Sequence, residues 1–253
     1  MRDKTKDERY FILTLFAIAK ELKHAGELAP FASLDLAVGL PPEHYGMLKT
    51  KFSQYFKRQG AVNFVYNEKP VSISIRNVFV YPQAYAAIVQ DKDKVLGSLR
   101  MFIIDVGGYT TDVLLLQNGK PDMRFCRSLE TGIIPMSNDI VGKVSALHDM
   151  RLEDYHISAV LSGKETILPE DVKKLIRETA AQYATDILDK LRELQVDLRS
   201  NPAIFIGGGS ILFRSILERS ELVAKAAFTT DPKANAIGYE ILAHGQLMLR
   251  SAQ

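Results

Sequence analysis

Two apolar runs that each open onto a glycine turn limit the fold of this chain more than any other feature in it. Arg100-Met-Phe-Ile-Ile-Asp105 is a strand-length apolar stretch that ends in a carboxylate and runs straight into Gly107-Gly108. Having no polar face, it reads as a fully buried strand. Thr111-Asp-Val-Leu-Leu-Leu-Gln117 is predicted as its antiparallel partner. Asn118-Gly119, the strongest short hairpin signal, then leads to a third strand over Met123 to Arg127 and completes a meander. The second run, Ala203-Ile-Phe-Ile206, is another buried strand, followed by a Gly207-Gly-Gly209 turn and a helix over Ser210 to Arg219. Between the runs, helices are predicted over Pro135 to Leu147 and Asp154 to Leu161. A longer one spans Pro169 to about Leu194, where Val172, Ile176, Tyr183, Ile187 and Leu191 recur at helical spacing and Pro169, Glu170 and Asp171 suit the N-terminal end. A closing helix covers Lys233 to Leu249.

The residues before Asp91 read as a separate block. Phe11 to Ala19 is apolar nearly all round and is expected to be a helix packed on more than one side. It is about half the roughly 20 residues that a membrane span needs. Met1 to Tyr10 mixes three acidic residues with its basic ones, and no small-residue cleavage site follows, so a signal peptide is not expected. Leu34 to Val38 reads as a buried strand. After Pro41-Pro42 a helix follows with Met47, Phe52, Tyr55 and Phe56 as its apolar face and Gly60 as its stop. Val62 to Val65 and Val71 to Val80 suggest a hairpin around Asn67-Glu-Lys-Pro70, and Pro82 is expected to open a helix from Gln83 to about Val89. The charged stretch Asp91-Lys-Asp-Lys94 is expected to mark a domain boundary.

Composition narrows the function classes. With 32 basic against 30 acidic residues the formal charge is +2, so no global field points to nucleic acid or to an anionic membrane. The single cysteine, Cys126, can make no internal disulfide, and the five histidines share no metal-ligand spacing. A reducing cytoplasm and no structural metal are the expectations. Cys126 has no neighbour that would activate it as a nucleophile. Lys49, Lys51, Lys57 and Arg58 form a modest basic helix face that reads either as a solvated surface or as a contact to DNA or a neighbouring subunit.

The chemistry concentrates at the two turns. In Asp105-Val-Gly-Gly-Tyr-Thr-Thr-Asp112, Gly107 and Gly108 lack Cβ atoms and let backbone N–H groups approach a polyphosphate, Thr110 offers a hydroxyl donor, and Asp105 could hold Mg²⁺ through its waters. An ordinary hairpin whose aspartate caps its own turn is the alternative. Gly207, Gly208 and Gly209 precede a helix N-terminus, which can receive an anion or a flat ring, without the G-x-G-x-x-G spacing of a dinucleotide fold.

These segments resemble the actin, heat-shock-chaperone and sugar-kinase superfamily, and most of all bacterial actin-like ATPases of the ParM and StbA plasmid-segregation type. Asp105 to Asp112 is similar to the family's second phosphate motif, and Ile204-Phe-Ile-Gly-Gly-Gly209 to its adenosine motif. Val80-Tyr-Pro-Gln-Ala-Tyr-Ala86 and Ala234-Asn-Ala-Ile-Gly-Tyr239 resemble the two connecting helices, and Leu13 to Ala19 and Asp35 to Pro41 resemble the early helix and strand of ParM-like chains. The resemblance implies an α/β, actin-like (ribonuclease H-like) fold of two lobes, with ATP or GTP and Mg²⁺ in the cleft between them. The first lobe would span 1–93 and be completed by the C-terminal helix 233–253; the second would span 98–232 with a helical subdomain at about 150–200. Gln83 would orient the attacking water, Asp105 would organise the cation, and Lys174 and Glu178 would sit by adenine and ribose, although a solvated charged face explains that pair as well. The Asp-x-Gly motif that opens such proteins has no counterpart before Asp35. The first lobe is therefore expected to lack its opening strands, to have an exposed sheet edge and to hydrolyse nucleotide weakly or not at all. Self-assembly and a DNA-bound adaptor protein are the implied partners, with no membrane and no sequence-specific nucleic-acid contact. A non-catalytic nucleotide-binding interaction module of the same fold, or less readily a small-molecule kinase, are the other functions open to these residues.

Overall fold

A computed structural model of the chain describes residues 4–26, 31–91, 98–229, 231 and 233–251. It has two compact units, one made of Met1–Leu40, His44–Pro82 and Tyr239–Gln253, the other of Pro41–Glu43 and Gln83–Gly238. Beyond Asp91, the charged stretch expected to be a boundary lies outside the described residues.

The first unit contains helices α1 (Glu8–His24) and α2 (Pro42–Phe56) and strands β1 (Phe31–Leu40), β2 (Val62–Tyr66) and β3 (Lys69–Pro82). The strand order is β1-β3-β2, with β1 parallel and β2 antiparallel to β3, so the hairpin forms as expected and β1 lies at a sheet edge among the described residues. The β1–β3 register shifts after Leu34. Here Arg76 and Asn77 both donate to Asp35, at 2.8 Å each, which fastens the bulge. Helix α1 buries one stripe, Phe11, Leu15 and Ala19, of which Phe11 and Leu15 share a core with Phe52 and Phe56 of α2. Off that stripe it packs only loosely among the described residues: Ile12, Leu13 and Phe16 are 60%, 65% and 56% exposed, with Phe16 edge-on to Tyr66 at 5.5 Å. Met47 also falls outside the expected α2 face, at 78% exposure, and Leu48 takes its place one residue on. Of the basic residues expected on this helix face, Arg58 falls just past the end of α2, over the Phe11 ring at 4.1 Å and paired to Glu8 at 3.0 Å.

The second unit is built on strands β4 (Arg100–Val106), β5 (Thr111–Gln117), β6 (Lys120–Leu129), β7 (Ala203–Ile206) and β8 (Ala226–Phe228). Their order is β6-β5-β4-β7-β8. The first three strands form the antiparallel meander, and β7 and β8 run parallel to β4. Helices α3 (Ile133–His148), α4 (Asp154–Leu161), α5 (Glu170–Glu193) and α6 (Gly207–Leu217) contribute to a core with Phe102, Ile104 and Val106 from one face of β4. The other face of β4 puts Met101 and Ile103 with Ala84, Ile88 and Ala234, the last from helix α7 (Ala234–Ser251). This two-sided burial is why β4 reads as an unbroken apolar run. Two expectations need correction. Pro82 opens no helix: it closes β3 opposite Leu40, and after a tight turn only a 3-10 segment forms, at Ala86–Asp91. Helix α6 begins at Gly207, three residues before the predicted start, so the glycines are its first turn and not a separate loop. The short strand β8 carries too few residues for a periodicity to show.

Candidate functional site

Asp105 is the centre of the site, which lies wholly within the second unit. The parallel and antiparallel registers set it directly beside Ile206 of β7 and Asp112 of β5. Burial pushes the Asp105 carboxyl from its ordinary value of 3.8 up to about 6; the hydrogen bond from Asn235 opposes that rise, and the charge of Asp112 adds to it.

Residues 107–110 after β4 are held from below by their carbonyls. Gly107 N–H donates to the Thr110 carbonyl at 2.8 Å, while the first two amides of α3, Ile133 and Ile134, donate to the carbonyls of Gly107 and Gly108 at 3.1 and 2.8 Å. The first amides of a helix lack partners within it, and the third residue of α3, Pro135, has no N–H to satisfy, so α3 closes its own N-terminus on this turn. Gly132 permits the approach, since a Cβ there would overlap the Gly108 carbonyl. Among the described residues no backbone carbonyl takes the N–H of Gly108, Tyr109 or Thr110, and Gly108 and Tyr109 are exposed. Successive amides without a backbone acceptor, two of them on exposed residues, suit an anion. The Thr110 hydroxyl is already directed at Asp112, 3.3 Å away, so it serves first to hold that carboxylate.

The second glycine turn meets the first at Asp105. Gly207 has φ +84, and a Cβ there would overlap both Asp105 Oδ1 and the Val106 carbonyl. Gly208 is unconfined, with only Ile133 Cδ1 at 3.9 Å from such a Cβ. From the other side Asn235 Nδ2 donates to Asp105 Oδ2 at 3.1 Å, and Asn235 Oδ1 accepts the Ala84 N–H at 2.9 Å. Gln83 therefore sits one residue from a backbone group tied to Asp105. Lys174 and Glu178 are not drawn in. They pair with each other at 3.8 Å on the exposed face of α5, 71% and 64% exposed, and line neither cavity beside that helix. Their neighbour Arg177 lines both, including one of about 550 Å³ shared with Ser162, Ala181, Ser215 and Arg219. Cys126 is inert at neutral pH, its thiol pushed by burial up to about 11.

Among the described residues no group of three or more His, Cys, Asp or Glu is placed to hold a metal ion. A cation here would lean on one or two carboxylates, its own waters and a bound anion, the usual donor set for Mg²⁺. Asp105 and Asp112 fit that role, because two facing carboxylates of like charge gain from a divalent ion between or beside them. Asn235, Asp112 and Gly132 have no assigned part in the sequence reading. The first two lie inside quoted motifs, but their partners are distant in sequence or on a neighbouring strand, and Gly132 carries no signal beyond preceding a helix.

No curated protein matches the chain in sequence. Residues 103–219 match the family model described as archaeal actin homologue MreB-like, C-terminal, and residues 1–85 match the actin like proteins N terminal domain. The native structure of the archaeal actin homologue Ta0583 is 20% identical with a TM-score of 0.72, covering 90% of this chain and 75% of that one; a complex of Ta0583 with ADP is also similar. ParM of Bacillus thuringiensis with ATP is 14% identical with a TM-score of 0.69, over 98% and 77% of the two chains. A 15-stranded ParM filament from Clostridium botulinum is 21% identical with a TM-score of 0.64, over 82% and 66%. At such identities the likeness is one of fold.

Proposed function

We propose, from the premise that this chain is an actin-like protein, that it is a nucleotide-dependent filament protein of the ParM kind, acting in plasmid or phage DNA segregation in the cytoplasm. The observation that carries the reading is the meeting of both glycine turns at the half-buried Asp105. The amides of Gly108, Tyr109 and Thr110 would take phosphate oxygens, and Asp105, backed by Asp112, would hold Mg²⁺ through its waters. Gly208 would leave room at the start of α6 for ribose or base, while Gly207 and Gly209, whose missing side chains face Asp105 and Val106, would let the helix start close on β4. When bound, Mg²⁺ supplies charge neutralisation along the phosphate chain. Gln83 would orient the attacking water by hydrogen bonding. Being neutral, it would act by positioning the water and not as a base. Support for a nucleotide ligand comes from Ta0583 with ADP and ParM with ATP, and support for self-assembly from the ParM filament. A DNA-bound adaptor would be the second partner. Among the described residues no helix is long and apolar enough to cross a membrane.

The test is thermal unfolding and pelleting of the purified chain with Mg-ATP, Mg-GTP or neither. Ligand at about 100 times its dissociation constant should stabilise the fold by roughly 2.7 kcal/mol. Nucleotide-dependent pelleting is the expected result. Soluble binding without pelleting would favour the interaction module instead, and no thermal shift at millimolar nucleotide would remove the reading altogether.

A further inference from the structure

Ala84 is a fully buried residue in a conformation that side chains avoid. Its φ is +66, and Tyr85 N–H donates to the Gln83 carbonyl at 2.7 Å across it, which makes residues 83–85 a γ-turn of the rare, strained kind. Such a turn persists only where its surroundings hold it. The holding group is the second residue of α7. The Ala84 N–H can only donate, so it must face the carbonyl oxygen of the Asn235 amide, and this leaves the Asn235 NH₂ to face Asp105. Gly238, three residues on and thus on the same side of α7, lets the helix close on the turn, since a Cβ there would overlap the Ala86 carbonyl.

We infer that Asn235 is a positioning residue, whose one amide fixes both the strained turn carrying Gln83 and the carboxyl of Asp105. The inference rests on the nucleotide reading only for the consequence: the residue that orients water and the residue that holds the cation share one support and move together. Serine or alanine could not span both partners. Aspartate would keep the acceptor for Ala84 but offer Asp105 a like charge in place of a donor.

The experiment compares the intact chain with Asn235→Ala and Asn235→Asp, first by amide hydrogen exchange without ligand. In Asn235→Ala, exchange at Ala84 should speed up about tenfold, while the amides of α7 from Gly238 onward stay protected. In Asn235→Asp, Ala84 should stay protected. The second readout is ATP binding with Mg²⁺ or with EDTA. Asn235→Ala should lower the affinity gained from Mg²⁺ several-fold and leave binding in EDTA unchanged. The inference is overturned if Ala84 exchange is unchanged in Asn235→Ala, if α7 loosens as a whole, or if the Mg²⁺ gain is unaltered. Absence of ATP binding by the unmutated chain defeats the nucleotide reading instead, and the exchange result still decides whether Asn235 holds the turn.

Discussion

Replacing Asp105 by Asn should make the ligand-free protein more stable at neutral pH. Asn keeps the size of the side chain and can still accept from Asn235, 3.1 Å away, but carries no charge into the half-buried site. In the folded chain the Asp105 carboxyl titrates at about 6, against 3.8 when unperturbed. A folded value above the unfolded one means that the folded state binds the proton more tightly. The native state is thus favoured below pH 4, and that advantage is lost as pH rises through 6. The full difference is on the order of 3 kcal/mol, and relaxation around the carboxylate brings the expected gain to ~1–3 kcal/mol. Urea unfolding of both proteins at pH 4 and pH 8, without nucleotide or divalent ion, measures it: the curves should nearly coincide at pH 4 and separate at pH 8, with the variant the more stable. Equal stability at pH 8, or a gap independent of pH, would refute the claim that Asp105 is a poorly solvated charge held at a cost. The same variant should lose the Mg²⁺ dependence of ATP binding, so stability and function change in opposite directions at this residue.

Gly207→Ala should destabilise the fold by ~2–4 kcal/mol, combining the left-handed backbone with a methyl group driven into Asp105 and the Val106 carbonyl; denaturant midpoints measure it, and a change under 1 kcal/mol contradicts the close approach. Gly208→Val should unfold near the parent's midpoint, because its Cβ meets only Ile133 at van der Waals distance, yet it should weaken ATP binding at least tenfold in titration calorimetry. Lys174→Ala and Glu178→Ala should leave ATP affinity within twofold, as the exposed pair contributes at most a few tenths of a kcal/mol to its own helix; a tenfold loss would return both residues to the site.

Much of this protein is written locally. The meander from Arg100 to Arg127 follows from alternation of long apolar runs with Gly107-Gly108 and Asn118-Gly119, and the long helix α5 follows from its three- and four-residue apolar steps, because backbone geometry and turn chemistry act over a few neighbouring residues. The carboxylate at the end of β4 and the glycines after both buried strands are legible for the same reason. What the sequence leaves open is set by distance along the chain. The pairing of β4 with β7 brings Asp105 beside Ile206 across about a hundred residues and turns two ordinary glycine loops into one site. The stripe by which α1 packs, the exposure of Met47 and the separation of Lys174 and Glu178 from the two cavities lined by Arg177 all depend on which surface the partner elements cover. Asn235 gains its part only when α7 meets Ala84, 151 residues away in sequence. A side chain's neighbours beyond one helical turn are fixed by tertiary packing, and the strain at Ala84 and the raised pKa of Asp105 exist only there.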